Sequence, residues 1–197
     1  NGFQSLRALS PAPCAPFDTD RKGVTLGEAC AALLVTKNKG EGFAVEYSGG
    51  SSSNDANHIS GPSRTGEGLV RSVNRTLERS AIDKNDIDFI SAHGTATLYN
   101  DEMEALGFNR LELQNVPVNS FKGNFGHTLG AAGLVEIAAS MLSIEKNTLF
   151  ASVGFKELGT TKAINILKEN KTQDVNVVLK TASGFGGGNA SLLIRKV

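Results

Sequence analysis

Apolar residues are grouped along this chain into runs whose spacing alternates between that of strands and that of helices. Short runs that are continuously apolar or alternate with polar residues predict strands. These runs are 30–36, 43–47, 87–92, 116–119, 175–179 and 190–194. Helical stretches separate several of them, and strands that alternate with helices are typical of a layered α/β domain.

The helical spacing is clearest in the middle of the chain. Leu69, Val70, Val73 and Leu77 line one side of a predicted amphipathic helix, with Thr65 as its expected N-cap.

Two further helices are predicted downstream. Asp101 followed by Glu104 resembles a capping box for a helix across 103–106. The third runs from about 127 to 144, and its apolar residues surround the helix, so we expect it to be buried on all sides.

Loops are predicted where glycine, proline and small polar residues cluster, at 1–25 and 49–61. The segment SGFGGGN at 183–189 predicts a tight hairpin turn that needs positive φ angles. A strand follows it, and not a helix whose N-terminus holds an anion, so it is a poor phosphate loop. Phe185, between two glycines, is expected at a site entrance.

The totals narrow the class of protein. The 197 residues suffice for one domain with a substantial core, and we assign 1–197 to it. Twenty basic and twenty acidic side chains balance without a like-charge block, so we expect neither nucleic acid nor an anionic membrane as a partner. No apolar run approaches the roughly 18 residues of a bilayer span, and no secretory signal is present, which favours a cytoplasmic location.

The chain starts at Asn1 without an initiator methionine, so we expect its start to have been trimmed. Its two cysteines, Cys14 and Cys30, lie in a proline-flanked loop and at the start of an apolar run. No Cys-x-x-Cys spacing is present, and we expect both to be free thiols in a reducing compartment.

His93 and His127 are the strongest candidates for chemistry. Each follows a predicted strand, and sites in α/β folds collect at the carboxyl ends of strands. The dipole at the start of a helix favours a neutral His127, which can donate a hydrogen bond to an enolate oxygen. Lys122, five residues upstream, is placed to hold a carboxylate or to orient a histidine.

The residues alone leave alternatives open. A histidine at a strand end is commonly a hydrogen-bonded structural residue, and a lysine in a loop is commonly solvated. A metal site would take His93 and His127 with Asp101 or His58, but no close-spaced ligand motif supports it, and we expect no metal.

Five segments, in order, resemble the C-terminal half of the β-ketoacyl-[acyl-carrier-protein] synthases, the condensing enzymes of fatty acid and polyketide synthesis. They are PFDTDRKGVTLGEACAALLV, SNDANHISGP, DFISAHGTATLYNDEMEA, KGNFGHTLGAAGLVE and SGFGGGNASLLI. The resemblance implies a thiolase-like α/β fold, in which a mixed five-stranded sheet is covered by helices in α/β/α layers.

The resemblance also implies roles for individual residues. His93 and His127 match the two histidines that assist decarboxylation of malonyl-carrier protein and stabilise the thioester enolate. Lys122 matches the lysine that supports the second histidine region through a carboxylate, and Glu136 matches that carboxylate.

The substrate arm is matched by residues of three segments. Thr95 and Thr97 match hydroxyls that bind the phosphopantetheine arm, and Ser60 stands where a further hydroxyl often helps. Phe185 matches the gating phenylalanine. No cofactor of the protein's own is implied, because phosphopantetheine arrives on the carrier protein.

The nucleophilic cysteine of the family lies in the N-terminal half, upstream of this chain's first residue, and neither Cys14 nor Cys30 matches its motif. We therefore expect the chain by itself to be inactive. In the parent protein we expect three partners: acyl carrier protein, the N-terminal half, and a second subunit in a homodimer or a ketosynthase heterodimer. Ala29 and Cys30 depart from the usual turn, and Ser183 replaces a residue that is often aromatic, which leaves the acyl pocket's shape open.

The alternative is a non-catalytic partner subunit similar to a chain-length factor. The presence of His93, His127 and Lys122 argues against it, because such a partner has no evident need of the decarboxylation residues.

Overall fold

A five-stranded mixed sheet organises the residues that this computed structural model describes, 2–6 and 8–197. Asn1, on which the expectation of a trimmed start rests, and Arg7 lie outside the described residues. The helices are α1 (Gly2–Ser5), α2 (Glu67–Ser80), α3 (Leu98–Arg110), α4 (Lys122–Phe125) and α5 (Ala132–Lys146), with 3₁₀ turns at Lys84–Asp86 and Leu129–Ala131. The strands are β1 (Val45–Asn54), β2 (Phe89–Ser91), β3 (Val118–Asn119), β4 (Thr148–Leu149), β5 (Lys171–Thr172), β6 (Val177–Gly184) and β7 (Gly188–Lys196).

The strand order is β1-β7-β6-β2-β3, and β4 pairs separately with β5. β1, β7 and β6 pair antiparallel, whereas β6, β2 and β3 run parallel. The mixed five-stranded sheet predicted from the resemblance is therefore confirmed. Its three parallel strands end at the same edge, which is where sites form in α/β proteins.

Side-chain alternation along the strands covers both faces of the sheet. On β6, Val178 packs in a cluster with Ile144 of α5, whereas the next residue, Leu179, packs in a cluster with Leu69 of α2 and Phe108 of α3. Helices therefore lie on both faces, and the predicted α/β/α layering is confirmed.

The strand predicted at 30–36 is wrong. The run has no regular structure, and the side chains of Leu34 and Val35 are 91% and 84% exposed. A strand needs a neighbour to pair its backbone groups, and none of the described strands pairs with this run.

The loops predicted at 1–25 and 49–61 are partly wrong. α1 lies within the first, and β1 continues through the glycines and serines to Asn54 because β7 pairs with it along this length. The pair β4–β5 went unpredicted, since two-residue strands carry too little periodicity to recognise.

Two predicted helix starts are also wrong. Gly66 is the N-cap of α2, at φ 66°, and the hydroxyl of Thr65 bonds to Ser63 instead. α3 begins at Leu98, so Asp101 and Glu104 lie inside it with their side chains buried.

The face of α5 that carries Leu134, Ala138 and Leu142 is exposed, so this helix is not buried on all sides. These residues follow one another at four-residue spacing and form an apolar stripe. The opposite face packs on the sheet, which is why the sequence is apolar all round while only one side is covered.

Across residues 2–6 and 8–197, no helix is both long enough and apolar enough to cross a membrane.

Candidate active site

A cavity of about 840 Å³ opens at the edge of the sheet where the parallel strands end. Six of the residues predicted from sequence line it: Ser60, His93, Thr95, Thr97, His127 and Phe185. His93 follows β2 by two residues, and Phe185 directly follows β6. The shared direction of these strands brings distant parts of the sequence to one place.

The rings of His93 and His127 lie edge to face, with centroids 5.5 Å apart. The backbone of His127 is fixed by the N-terminal segment, since its N–H donates to the carbonyl of Thr25 at 2.7 Å. Its carbonyl accepts from the N–H of Gly27 at 3.0 Å.

Hydrogen bonds to Nδ1 assign the same tautomer to both histidines. The N–H of Leu129 donates to Nδ1 of His127 at 3.0 Å, and the Nζ of Lys122 lies 3.3 Å from Nδ1 of His93. A neutral imidazole that accepts at Nδ1 carries its proton on Nε2. The pair therefore offers two Nε2–H donors.

Lys122 is buried and makes further contacts from the same ammonium group. Its Nζ donates to the carbonyl of His93 at 2.5 Å and to Oε1 of Glu136 at 2.6 Å. The expected pairing with Glu136 is present. Lys122 contacts the first histidine directly, and its support of the His127 region through Glu136 stays a prediction.

Lys180 is a site residue that the sequence reasoning missed. It is buried, and its Nζ lies 2.6 Å from Oε2 of Glu136, on the other side of that carboxylate from Lys122. The available signal was a lysine at an inward-facing position of the apolar strand β6.

Asp101 and Glu104 hold the loop that carries His93. Oxygens of Glu104 accept from the N–H groups of His93 at 2.8 Å and Gly94 at 2.7 Å. Oxygens of Asp101 accept from Thr95 N–H at 3.0 Å and from Phe17 N–H at 2.7 Å. The spacing read as a capping box thus positions the histidine loop.

Burial and nearby cations keep both histidines neutral. Burial, followed by the charge of Lys122, lowers the pKa of His127 to about 4. Burial, with Lys122 and Lys180, holds the pKa of His93 well below its usual range. The direction agrees with the expectation from the helix dipole, but the cause differs, because a 3₁₀ turn separates His127 from α5.

The buried carboxylates fall into two groups. Burial would raise the pKa of Glu136, but Lys180 and Lys122 outweigh it and hold the pKa below its usual range. Burial raises the pKa of Asp101 to about 7 and also raises that of Glu104, against the hydrogen bonds from Gly94 and His93.

The cavity lining contains both hydroxyl groups and aromatic rings. The hydroxyls of Thr95 and Thr97 lie 2.8 Å apart, and the N–H of Ser60 donates to Nδ1 of His58 at 3.1 Å. Phe185 is 54% exposed, and its ring centroid lies 5.6 Å from that of Phe3. Phe3 also lines the cavity, and nothing in its loop-like sequence surroundings pointed to this position.

Of the residues considered for a metal site, His58 lines the same cavity as His93 and His127. Among residues 2–6 and 8–197, no three His, Cys, Asp or Glu side chains group as metal ligands. Cys14 is a buried free thiol whose Sγ donates to the carbonyl of Lys122 at 3.0 Å, and Cys30 is an exposed free thiol.

A mixed α/β sheet with this strand order and a histidine pair at its parallel edge defines the class as the C-terminal half of a thiolase-like fold. The family described as "Beta-ketoacyl synthase, C-terminal domain" matches residues 44–156. The chain belongs to the β-ketoacyl synthase family.

Named relatives agree with this assignment. The chain is 32% identical to a putative mitochondrial 3-oxoacyl-[acyl-carrier-protein] synthase of Schizosaccharomyces pombe, over 99% of this chain and 51% of the relative. It is 33% identical to 3-oxoacyl-[acyl-carrier-protein] synthase 2 of Rhizobium meliloti, over 99% of this chain and 50% of the relative. The chain thus spans about half the length of the curated relatives it matches. The cytoplasmic location expected from the sequence stays a prediction.

The fold is similar to that of a solved complex of the ketosynthase ApeO with its chain length factor ApeC from Xenorhabdus doucetiae. The TM-score is 0.93 at 35% identity, covering 100% of this chain and 49% of the matched one. The ishigamide ketosynthase/chain length factor gives a TM-score of 0.88 at 27% identity, covering 99% and 50%.

Proposed function

We propose that these residues form the decarboxylating half of a synthase that extends an acyl thioester with a malonyl unit delivered by acyl carrier protein. The observation that carries the proposal is the pair His93 and His127. Their rings lie 5.5 Å apart at one cavity, and hydrogen bonds at both Nδ1 atoms leave two neutral Nε2–H donors.

The pair suits the chemistry of decarboxylation. Loss of CO₂ breaks the bond between the carboxylate and the α-carbon, and the electron pair moves onto the thioester oxygen as an enolate. Two preorganised N–H donors stabilise that oxygen as its charge develops. The enolate carbon then attacks the acyl thioester carbon, a carbon–carbon bond forms, and the thiolate leaves. Atoms and electrons balance without a redox step.

The supporting residues fix the donors in place. Lys122, backed by Glu136, holds Nδ1 and the carbonyl of His93, while Glu104 holds its N–H. A hydrogen-bonded ring keeps its orientation and tautomer through the reaction.

The cavity lining suits the carrier-protein arm. We assign the hydroxyls of Thr95, Thr97 and Ser60 to hydrogen bonds with phosphopantetheine, and Phe185 to the entrance. Their place in the cavity lining supports this assignment.

We assign the whole chain, 1–197, to one half of the synthase and the nucleophilic cysteine to an N-terminal half. Cys14 is buried against the carbonyl of Lys122, Cys30 is exposed, and neither is among the described residues that line the cavity. The chain by itself is therefore inactive in condensation. The exposed stripe on α5 and the unpaired run 30–36 are the surfaces that we expect the other half to cover.

The parent protein is also proposed to pair with a second subunit, either a copy of itself or a sister chain. The solved structures similar to this chain include ketosynthases with a chain length factor. The presence of His93, His127, Lys122 and Glu136 together favours the catalytic subunit over the non-catalytic one.

The test uses the intact synthase that carries this chain. With malonyl-carrier protein as substrate, His127→Ala is expected to slow acetyl-carrier protein formation by about 100- to 1,000-fold, the usual cost of one lost oxyanion donor. Mass spectrometry of acyl loading on the same variant is the internal control and should match the wild type. Decarboxylation at the wild-type rate would remove the role of His127, and no acyl adduct on any cysteine of the wild type would favour the non-catalytic partner.

A further inference from the structure

Lys180 owes its position to the alternation of side chains along β6. Val178 faces α5 and Leu179 faces α2 and α3, so Lys180 faces α5 again and Thr181 faces α3. The strand therefore places a lysine opposite Glu136 of α5. It also places a hydroxyl opposite Glu104 of α3.

Glu136 is held between two ammonium groups. Its Oε1 lies 2.6 Å from Nζ of Lys122, and its Oε2 lies 2.6 Å from Nζ of Lys180. All three side chains are buried. A carboxylate engaged at both oxygens cannot rotate without breaking a buried ion pair, which is a strongly unfavourable change.

Two neighbouring residues of β6, Lys180 and Thr181, also contact the backbone before His93 and the carboxylate that accepts its N–H. Nζ of Lys180 also donates to the carbonyl of Ser91, two residues before His93, at 3.3 Å. The hydroxyl of Thr181 donates to Oε1 of Glu104 at 3.3 Å, and Glu104 accepts the N–H of His93. β6 thus contacts both the residue that supports the side chain of His93 through Lys122, which is Glu136, and the residue that accepts its backbone N–H, which is Glu104.

Lys180 adds a positive charge beside the two histidines. The charged groups packed around the pair are Lys122 on α4, Glu136 on α5, Asp101 and Glu104 on α3, and Lys180 on β6. The titratable groups Arg21, Lys22, Asp55 and His58 line the same cavity, and Arg21 lies 3.9 Å from Asp101. Replacing Lys180 by a neutral residue removes one positive charge from this set, which makes protonation of a neighbouring imidazole easier.

We propose that Lys180 is a positioning residue: it clamps Glu136 against Lys122, and so holds Lys122 under Nδ1 of His93 and keeps both histidines as neutral Nε2–H donors. The catalytic consequence rests on the proposed function, whereas the clamp itself does not.

The first test is a histidine NMR titration of this chain, which has only three histidines to assign. In Lys180→Met, the titration midpoints of His93 and His127 are expected to rise by on the order of one pH unit, because a nearby cation is lost. His58 serves as the internal control. Lys180→Arg should restore the wild-type midpoints, and Lys171→Met, an exposed lysine on β5, should not change them.

Unchanged midpoints for both histidines in a folded Lys180→Met chain would overturn the proposal. If Lys180→Met does not fold, Lys180→Gln is measured in its place. Loss of the fold in both variants, with Lys180→Arg folded, would also overturn the positioning role and leave Lys180 a purely structural residue.

The second test measures malonyl decarboxylation by the intact synthase against pH. The acid limb of the rate should move to higher pH in Lys180→Met, since the histidines then protonate more easily, and should return in Lys180→Arg. An acid limb that stays in place would contradict the catalytic consequence. Shifted NMR midpoints in a synthase whose wild type does not decarboxylate would leave the clamp standing and remove the proposed function.

Discussion

The carboxylate of Glu104 accepts the backbone N–H of His93 at 2.8 Å. Glu104 lies inside α3, which begins six residues earlier at Leu98. Its other oxygen accepts the N–H of Gly94 at 2.7 Å. The loop between β2 and α3 therefore depends on a side chain of the helix that follows it. His93 and Gly94 are both buried, and none of the described strands pairs with them.

Glu104→Ala leaves these two N–H groups without their acceptor. A buried donor without a partner costs about 1–3 kcal/mol, so for two donors we expect a loss of about 2–6 kcal/mol in the free energy of unfolding by urea. Glu104→Gln keeps one acceptor oxygen, so its free energy of unfolding should lie between those of the wild type and Glu104→Ala. Glu78→Ala, an exposed glutamate on α2, is the matched control and should change little. Equal stability of Glu104→Ala and Glu78→Ala would contradict this role.

Gly94 cannot carry a side chain in this loop. Its φ is +36°, and a Cβ would lie 2.5 Å from the Cβ of Ser120. We expect Gly94→Ala to cost about 2–4 kcal/mol from backbone strain and overpacking together. Gly133→Ala on α5 meets no atom within 4 Å and should leave stability unchanged or slightly higher. Thermal unfolding of the two variants side by side distinguishes them, and similar melting temperatures would refute the steric argument.

The pH dependence of decarboxylation follows from the neutral state of His127. An ordinary histidine with a pKa near 6.5 is only about one-tenth neutral at pH 5.5, whereas one with a pKa of about 4 is almost fully neutral there. A lowered pKa of His127 therefore preserves activity at acid pH, because the ring stays neutral there. We therefore expect the rate of malonyl decarboxylation by the intact synthase to persist down to pH 5, with circular dichroism confirming the fold. A rate that halves near pH 6.5 would contradict it.

The apolar stripe on α5 should make the isolated chain self-associate. Leu134 and Leu142 are 41% and 44% exposed on one face of the helix, and exposed apolar stripes favour association. Changing both to glutamine should lower the sedimentation coefficient of the chain at high concentration, with little loss of stability, because neither side chain is in the core. Tyr47→Gln, at an exposed position on β1, is the control. Association of the double variant at the wild-type level would argue against the stripe as a contact surface.

Local sequence was enough to recognise several elements and most of the candidate site. α2 was predicted because four apolar residues repeat at helical spacing, and β6 and β7 because two apolar runs flank a glycine-rich turn. The histidines were found because each follows a strand. The run 30–36 shows the limit of this reasoning: its composition is that of a buried strand, yet a strand forms only where a neighbour supplies backbone partners.

The sequence by itself determined the features that depend on neighbours within a few positions. These are the residue types around the cavity, the strand-end position of His93 and the small residues ahead of α5. The roles of Asp101, Glu104 and Lys180 were decided only in three dimensions. The spacing of Asp101 and Glu104 fits a helix cap, and it fits equally well two buried carboxylates that accept hydrogen bonds from a neighbouring loop. Which of the two arrangements forms depends on which N–H groups lie nearby. Lys180 became a site residue because β6 aims it at Glu136, 44 positions earlier in the chain (180 − 136). Buried ion pairs form between such distant residues only after the sheet and helices have brought them together, so no local pattern specifies them.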